Sequence, residues 1–385
     1  MTKIYCKCNK YFLKESTFNL HKLKCKEENK EENKEENKEE NKEENKEENK
    51  EENKEENKEE NKETILNALD LFCGCGGMSK GLTASGINVI AGIDIWDKAI
   101  NSYKKNFSHM SICENLVELS PEKFDKVYNT NRYIIDLIVG GPPCQSFSIA
   151  GKRDKNDPRN TLFLEYVKYL NYFKPKMFIM ENVMGLLSKK MENNNGVNLK
   201  VIDIIMEKLT QEYNCIITKL YASDFEVPQN RRRVIIIGIR KDLNILPTEP
   251  EIIIGRIPVK SILLQRDIID LKYYLSERAI QGIKNKKEKS KLNKNGFGAQ
   301  FLNLDKPSYT IPARYWKDGY DALVKYDENN IRRLTILELK RVQSFPDDYI
   351  IEGSNKDIIM QIGNAVPCKL AYHLGIYIKN KLISL

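Results

Sequence analysis

Apolar and polar residues alternate in blocks along the second part of the chain. Apolar runs that end at glycine or acidic residues predict strands at 65–72, 87–95, 133–141, 176–183 and 232–240. Mixed segments between them predict helices at 78–86, which stops at a glycine, and at 98–107. Nearly continuous apolar strands separated by helices are typical of a mostly parallel sheet covered on both faces. We therefore predict an α/β fold of the doubly wound type, whose ligands bind at the carboxyl ends of the strands.

The alternation of strand and helix weakens after Arg240. Residues 241–330 contain short β-like runs, lysine-rich stretches and glycine-rich turns, and a clear helical pattern returns over 334–345. We predict a smaller domain at 241–330 that is inserted into a larger one. The larger domain then consists of residues 64–240 and is completed by residues 331–385.

The first 63 residues differ from the rest. Residues 27–62 are nine copies of the tetrapeptide EENK, which has no apolar residue with which to build a core. We predict a solvated, partly helical linker over 27–63, and an acidic interaction tail is the alternative. Each copy has a net charge of −1, so the tract carries a charge of −9. Because the whole chain has a net charge of +8, the remaining residues carry +17. A part of the chain that is so basic suggests a polyanionic partner, although solubility alone would also explain it.

Cysteine usage and the lack of long apolar runs indicate the compartment. The chain has nine cysteines, an odd number, without the spacing of a disulfide framework. The sequence contains no run of about 18 apolar residues, so we expect no membrane span. The N-terminus lacks the apolar core of a secretory signal. We expect reduced cysteines in an intracellular protein of the cytoplasm, or of the nucleus if the source is eukaryotic.

A glycine-rich turn follows the first predicted strand. The sequence from Asp70 to Gly77 is DLFCGCGG, in which Gly74 and Gly76 allow close approach of the backbone to a ligand at a helix N-terminus. The next strand ends near Asp94, which is placed to accept hydrogen bonds from ribose hydroxyls, and Trp96 follows it as a stacking partner for adenine. Because the third glycine position of a dinucleotide fingerprint holds Ser79, we favour a smaller adenosyl cofactor. A purely structural turn is the alternative.

A cysteine follows the third of these strands. Cys144 lies in the sequence GGPPCQSFS, in which two prolines stiffen the backbone just before it. A thiolate on a rigid loop at the carboxyl end of a strand is a competent nucleophile. A structural cysteine is the alternative when the residue is considered alone.

Together these motifs resemble the DNA cytosine-5 methyltransferase family over residues 66–385. Six motifs occur in the family order, and they are DLFCGCGG at 70–77, GGPPCQSFS at 140–148, ENV at 181–183, QNRRR at 229–233, RRLTILELKRVQSFPDDY at 332–349 and QIGNAVP at 361–367. The resemblance implies a Rossmann-like methyltransferase domain that uses S-adenosylmethionine and contains an inserted target-recognition domain at 241–330. Thr310 and Ile311 are similar to the Thr-Leu pair of that inserted domain.

The resemblance also implies the chemistry and the catalytic residues. Cys144 would attack C6 of a cytosine that has been flipped out of the duplex, and C5 would then take the methyl group. Glu181 would bond or protonate N3, while Arg231 and Arg233 would neutralise charge at O2, on Glu181 or on phosphate. Membership of a merely basic surface is the alternative for the two arginines.

The cofactor contacts implied by the resemblance come from several loops. They are Phe72, Gly74, Gly76, Asp94, Trp96, Asn115, Pro142, Leu162 and Asn364. Asn115 stands where the family usually has an aspartate, and an amide can still donate or accept a hydrogen bond there.

The N-terminal 26 residues resemble a zinc finger. Cys6, Cys8, His21 and Cys25 have nearly the spacing of zinc ligands, although the first pair is CxC in place of CxxC. We predict Zn²⁺ binding by these four residues, with a disordered basic tail as the alternative.

Two other functions compete with DNA methylation. One is methylation of a tRNA cytosine, although the Cys-Phe-Thr tripeptide typical of those enzymes is missing from the second domain. The other is an inactive DNA-binding protein, which the presence of Cys144 and Glu181 disfavours. The partners that we expect are double-stranded DNA and a cognate restriction endonuclease, and we expect a monomer with no membrane association.

Overall fold

A computed structural model describes most of the chain after residue 64. The described residues are 4–5, 11–12, 65–130, 134–143, 162–192, 198–253, 255–293, 299–317 and 319–383. The chain divides into two compact units, residues 1–63 and 64–385. In the first unit β1 (Ile4–Tyr5) pairs antiparallel with β2 (Tyr11–Phe12). The predicted zinc ligands and the EENK repeat lie outside the described residues.

A seven-stranded sheet forms the centre of the second unit. Its strands are β3 (Asn67–Leu71), β4 (Asn88–Asp94), β5 (Met110–Cys113), β6 (Leu137–Gly140), β7 (Met177–Val183), β10 (Tyr213–Tyr221) and β11 (Arg232–Arg240). They lie in the order β10-β11-β7-β6-β3-β4-β5. The five strands from β7 to β5 pair in parallel, and β11 runs antiparallel to both of its neighbours. The chain therefore leaves β3 first towards β5 and then crosses to β6, which creates the switch point where ligands bind in open α/β sheets.

Helices cover both faces of this sheet. The helices of the second unit are α1 (Gly77–Ala84), α2 (Asp97–Asn106), α3 (Pro121–Tyr128), α4 (Leu162–Phe173), α5 (Val201–Leu209), α6 (Glu277–Asn293), α7 (Ile336–Val342), α8 (Asn355–Asn364) and α9 (Cys368–Leu382). Alternate strand residues belong to two separate hydrophobic clusters, since Leu69 packs with α4 and α5 and Ala68 packs with α1 and α9. This arrangement confirms the predicted doubly wound α/β fold. None of the described helices is both long and apolar enough to span a membrane.

Helix α1 lies unusually close to α9. A Cβ atom built on Gly77 would lie 2.1 Å from the carbonyl oxygen of Val366, and one built on Gly81 would lie 2.3 Å from that of Cys368. These two glycines are one helical turn apart and face the same neighbour. The close packing fixes the N-terminus of α1 and therefore also the glycine-rich turn that precedes it.

The inserted region has little regular structure. Of the short β-like runs expected over 241–330, one forms a strand among the described residues, β12 at Leu323–Lys325, and none does between 241 and 322. The described residues of this region form five 3-10 turns, at Lys241–Leu243, Val259–Ile262, Arg266–Ile268, Leu271–Tyr273 and Ala313–Trp316, and the lysine-rich stretch forms α6. Apolar runs of three or four residues do not specify a strand, because a turn can bury them equally well. Val259, for example, is fully buried against α7 and α8.

Two short antiparallel ribbons complete the strands. They are β8 (Lys190–Glu192) with β9 (Asn198–Lys200), and β12 (Leu323–Lys325) with β13 (Ile331–Arg333). The boundaries proposed at 240 and 330 stay predictions.

A buried ion pair joins β13 to α7. Arg332 donates two hydrogen bonds to Glu338, at 2.7 and 2.8 Å, and both side chains are fully buried. Glu338 also accepts from the backbone N–H groups of Leu264 and Thr335, and the side chain of Thr335 caps α7. One carboxylate therefore accepts from a guanidinium and from two backbone N–H groups, while Arg332 also donates to the hydroxyl of Tyr326 and to the carbonyl of Arg333.

We predict that Glu338→Ala lowers the free energy of unfolding by about 3–5 kcal/mol, because it leaves a buried guanidinium without its partner. Urea denaturation of the full chain measures this change. Asp305→Ala is the matched control, since it removes an exposed ion pair with Lys260 and should cost less than about 1 kcal/mol. Equal losses in the two variants would contradict the structural role given to Glu338.

Candidate active site

Four loops meet at one edge of the sheet. They follow β3, β4, β5 and β6, and the last residues of β7 lie beside them. Because parallel strands end at the same edge, residues at these strand ends lie close together although they are far apart in the sequence. The predicted cofactor and catalytic residues fall mainly on these loops.

The turn after β3 has a strained backbone. Phe72 has a φ of 59°, which is uncommon for a residue other than glycine, and Gly74 and Gly76 also have positive φ. Gly76 is enclosed by the side chains of Tyr103, Phe107 and Tyr349, whereas a Cβ atom built on Gly74 would meet nothing within 4 Å. The turn is therefore held from behind and faces open space in front, as a ligand-binding loop requires.

Asp94 ties this turn to the end of β4. Its carboxylate accepts hydrogen bonds from the backbone N–H of Gly74 and from that of Trp96, both at 2.9 Å. Burial raises the pKa of Asp94, and these two N–H groups oppose the shift. Each carboxylate oxygen keeps a second lone pair, so Asp94 can still accept from a pair of vicinal hydroxyls.

The other predicted cofactor residues lie at several strand and helix ends. Trp96 is half-buried at the N-terminus of α2, and the Asn115 side chain caps a local turn after β5 through its bonds to Val117 and Glu118. Leu162 begins α4 and Asn364 is the last residue of α8. Ile95, which we did not predict, is 66% exposed between Asp94 and Trp96. An exposed apolar residue at this position is a signal for adenine contact that the sequence could have supplied.

These residues fit an adenosyl cofactor. The open glycine turn, the helix N-terminus behind it, the carboxylate of Asp94 and the apolar side chains of Ile95 and Phe72 are the groups that a nucleoside with a charged tail requires. The main support for this fit is the open space in front of Gly74, where the cofactor could approach the backbone.

Glu181 and Arg233 form an ion pair at the end of β7. The Nε atom of Arg233 lies 2.7 Å from Oε1 of Glu181, and about a tenth of each side chain is exposed. The antiparallel pairing of β7 with β11 places Arg233 opposite Val183, two residues from Glu181 on the same face. Burial lowers the pKa of Arg233, and the nearby carboxylate of Glu181 raises it.

Glu181 lies against the start of the loop that carries Cys144. A Cβ atom built on Gly141 would lie 3.1 Å from Oε2 of Glu181, so a larger residue there would crowd the carboxylate. The side chain of Asn182, a residue that we did not predict, donates to the carbonyl of Pro142 at 3.1 Å and so restrains the same loop. Cys144 itself and the rest of this loop to residue 161 lie outside the described residues.

Arg231 has different partners from Arg233. Its guanidinium donates to the carbonyl oxygens of Ile311 at 3.5 Å and Gly363 at 2.9 Å, and only 2% of the residue is exposed. The structure therefore brings Glu181 and Arg233 together and places Arg231 at a backbone junction.

Comparison with known proteins decides the family. The family model for C-5 cytosine-specific DNA methylase matches residues 66–380. The chain belongs to this family. As a member of it, the protein is an enzyme of the methyltransferase class that uses S-adenosylmethionine.

Curated relatives of this methylase include Type II methyltransferases. It is 34% identical over 352 residues to the Type II methyltransferase M.FnuDI of Fusobacterium nucleatum, which covers 82% of this chain and 95% of the relative. It is 32% identical over 373 residues to the Type II methyltransferase M.DdeI of Desulfomicrobium norvegicum, covering 80% and 88%.

Solved structures share the fold of the methylase. The methyltransferase EhMeth of Entamoeba histolytica has a TM-score of 0.65 at 20% identity, covering 83% of this chain and 99% of that one. DNMT2 of Spodoptera frugiperda has a TM-score of 0.61 at 23% identity, covering 81% and 99%.

The described part of the methylase contains no cluster of three or more His, Cys, Asp or Glu residues that could hold a metal ion. The four predicted zinc ligands are not among the described residues.

A buried acid behind the glycine turn was not predicted as a functional residue. Asp70 is 1% exposed, and its Oδ2 accepts from Ser79 at 2.6 Å while Oδ1 has no partner among the described residues. Ser79 continues a chain of hydrogen bonds to Tyr103 and on to His109. Burial raises the pKa of Asp70 to about 7, and the nearby Asp94 adds to the shift. The carboxyl of Asp70, which directly precedes the glycine turn, therefore titrates near neutral pH.

We predict that the free energy of unfolding of the cofactor-free methylase decreases as the pH rises from about 4 to 7, because Asp70 ionises less readily in the folded state. The folded state favours the protonated carboxyl, so this contribution is complete below the ordinary pKa near 4 and is lost as the pH rises through 7. Asp70→Asn mimics the protonated form and removes the dependence.

The free energy of unfolding of Asp70→Asn relative to wild type should therefore rise by roughly 1 kcal/mol per pH unit between pH 5 and 7. Urea denaturation at several pH values measures it. Asp203→Asn, at an exposed position in the first turn of α5, is the control and should show no such trend. A constant difference between Asp70→Asn and wild type across this range would refute the prediction.

Proposed function

We propose that the protein transfers a methyl group from S-adenosylmethionine to C5 of a cytosine in a specific duplex DNA sequence, through a covalent intermediate on Cys144. The single observation that carries this proposal is the Glu181–Arg233 pair, which lies against Gly141 at the start of the loop that bears Cys144. The Type II methyltransferases among its relatives support a role in restriction-modification, with a cognate endonuclease as partner.

The reaction needs help because C5 of cytosine is a poor nucleophile. The thiolate of Cys144 adds to C6, and the electrons of the C5–C6 double bond move towards C5, N3 and O2. C5 then takes the methyl group, its proton leaves to a base, and the S–C6 bond breaks as the double bond re-forms. Charge therefore develops at N3 and O2 during addition and disappears again on release.

Glu181 and Arg233 are placed to stabilise that charge. Arg233 holds Oε1 of Glu181, while Oε2 faces Gly141. Glu181 would bond or protonate N3, and Arg233 would offset the negative charge that grows at O2. The low exposure of both side chains strengthens these interactions because little water competes for them.

The cofactor residues fit the same scheme. When bound, S-adenosylmethionine supplies the electrophilic methyl group. Asp94 would bind the ribose hydroxyls, Trp96, Ile95 and Asn115 would surround the adenine, and the turn from Phe72 to Gly76 would hold the charged tail. We further propose that Pro142, Leu162 and Asn364 line this cavity.

The target cytosine must leave the duplex to reach this site. The net charge of +17 outside the EENK tract favours binding of the phosphate backbone. Within residues 241–330, Thr310 and Ile311 adjoin the QNRRR segment that leads into β11, since Thr310 donates to the carbonyl of Asn230. Zinc binding by Cys6, Cys8, His21 and Cys25 and the monomeric state stay predictions.

Transfer of a labelled methyl group tests the proposed function. Tritiated S-adenosylmethionine is offered with mixed-sequence duplex DNA and with total tRNA, and the methylated base is identified after digestion. We expect 5-methylcytosine in the DNA alone, and bisulfite sequencing then maps its sequence context. Incorporation only into tRNA, or into a base other than cytosine, would overturn the proposal.

We predict that Glu181→Gln lowers kcat on duplex DNA about 100-fold or more, because the amide cannot transfer a proton to N3 and cannot form the ion pair with Arg233. Steady-state kinetics with saturating DNA measure this loss. Glu207→Gln, on the exposed face of α5, is the isosteric control and should retain wild-type kcat. Full activity of Glu181→Gln would exclude a role for this carboxyl in the reaction.

A further inference from the structure

Arg231 occupies a junction between three parts of the chain that are distant in sequence. Its Nη1 donates to the carbonyl of Ile311, 80 residues away, and its Nη2 to the carbonyl of Gly363, 132 residues away. Ile311 belongs to the inserted region, and Gly363 directly precedes Asn364 at the end of α8. One guanidinium therefore joins the start of β11, the inserted region and the C-terminal part of the chain.

A second side chain holds the same junction. The amide of Gln229 accepts from the backbone N–H of Ile311 at 3.0 Å and donates to the carbonyl of Val342 at 3.3 Å. The backbones also pair, since Asn230 donates to Ser308 at 2.8 Å and Ser308 donates to Pro228 at 2.9 Å. We call residues 229–231 together with 308–311 the recognition junction.

The recognition junction is closely packed on its other side. A Cβ atom built on Gly363 would lie 2.5 Å from the backbone of Ala313. Gln229 and Ile311 are fully buried, and Ser308 is nearly so. Small displacements of residues 308–313 are therefore resisted from both sides.

Arg231 is almost fully buried within the protein, with 2% of the residue exposed. Two of its three nitrogens bond backbone carbonyls, and Nε is buried without a partner among the described residues. Burial lowers the pKa of Arg231, and the charge of Arg233 lowers it further. A guanidinium kept in such surroundings, in contact with two carbonyls from separate segments, serves to hold those segments in place.

We propose that Arg231 is a positioning residue that sets the place of the inserted recognition segment relative to Glu181 and to the Gly363–Asn364 loop, and that it does not contact the cytosine. This inference rests on the proposed function. We expect the discrimination between DNA target sequences to depend on Arg231, and the chemical step to be independent of it.

Arg231→Lys tests the proposal because lysine keeps the charge but cannot reach two carbonyls in a fork. With a duplex that carries the sequence mapped by bisulfite, we expect KM for DNA to rise about tenfold or more while kcat at saturating DNA changes less than about threefold. Methylation of duplexes with one altered base pair should rise relative to the mapped sequence. A merely structural defect would lower the fraction of active enzyme without changing the ratio of methylation at altered sequences to methylation at the mapped sequence, which we call the discrimination ratio.

Two neighbouring arginines provide matched comparisons. Arg232 is exposed beside the ring of Tyr221. Arg232→Gln should therefore leave KM, kcat and the discrimination ratio unchanged. Arg233→Lys should instead lower kcat, because Arg233 bonds Glu181. If Arg231→Lys behaves like Arg233→Lys, with a loss of kcat at unchanged KM and ratio, the positioning role is wrong.

A second variant covers the case in which Arg231→Lys does not fold. Gln229→Met removes the other side-chain contacts to Ile311 without changing charge, and it should give the same rise in KM and loss of discrimination. Wild-type kinetics and discrimination in Gln229→Met would overturn the proposal. Failure of the proposed function is distinguishable, since the wild-type protein would then methylate no duplex cytosine.

Discussion

The ion pair between Glu181 and Arg233 is the interaction on which the active site depends. Five parallel strands bring the cofactor turn, Asp94 and the start of the Cys144 loop to one edge of the sheet. The single antiparallel strand of the described sheet, β11, then delivers Arg233 to the face that carries Glu181. Without this reversal of direction, the residues of the QNRRR segment would lie at the opposite edge. The carboxylate would then be buried beside Gly141 with no cation to hold it, an arrangement that proteins avoid.

In this arrangement, residues of the short QNRRR segment contact different parts of the protein. Gln229, Arg231 and Arg233 are buried, and they alternate with two exposed residues, 230 and 232. Arg233 bonds the carboxylate of Glu181, whereas Gln229 and Arg231 bond the backbone of the inserted region and of α8. The same segment thus connects the carboxylate proposed to act on the base to the part of the chain that is predicted to recognise its sequence.

Much of the fold was predictable from the sequence because it depends on local patterns. The apolar runs that became β3, β4, β6, β7 and β11 are long enough to specify strands, and the residues that follow them lie at the ligand-binding edge as expected. Direction was not predictable, since an apolar run such as RRVIIIGIR is compatible with either parallel or antiparallel pairing. In the inserted region, only the run that forms β12 is a strand among the described residues, since a 3-10 turn buries another short apolar run against α7 and α8.

The site itself was predictable in its motifs and not in its contacts. Asp94 could be located because the end of its strand is visible in the sequence, and Glu181 could be located because it stands in the ENV motif of the family resemblance. The partners of Arg231 could not, since they are backbone carbonyls that any residue would supply. Asp70 was overlooked because a carboxyl group inside an apolar strand gives no indication of which polar groups will surround it.

Covalent trapping tests the central claim of this account most directly. In a duplex with 5-fluorocytosine at the mapped target, the thiolate of residue 144 adds to C6 and C5 receives its methyl group, but fluorine cannot leave as a proton does. With S-adenosylmethionine present, we predict a protein–DNA adduct that survives denaturation, maps to Cys144 and is lost in Cys144→Ser. An active wild-type preparation that forms no such adduct, or an adduct that persists in Cys144→Ser, would contradict the account.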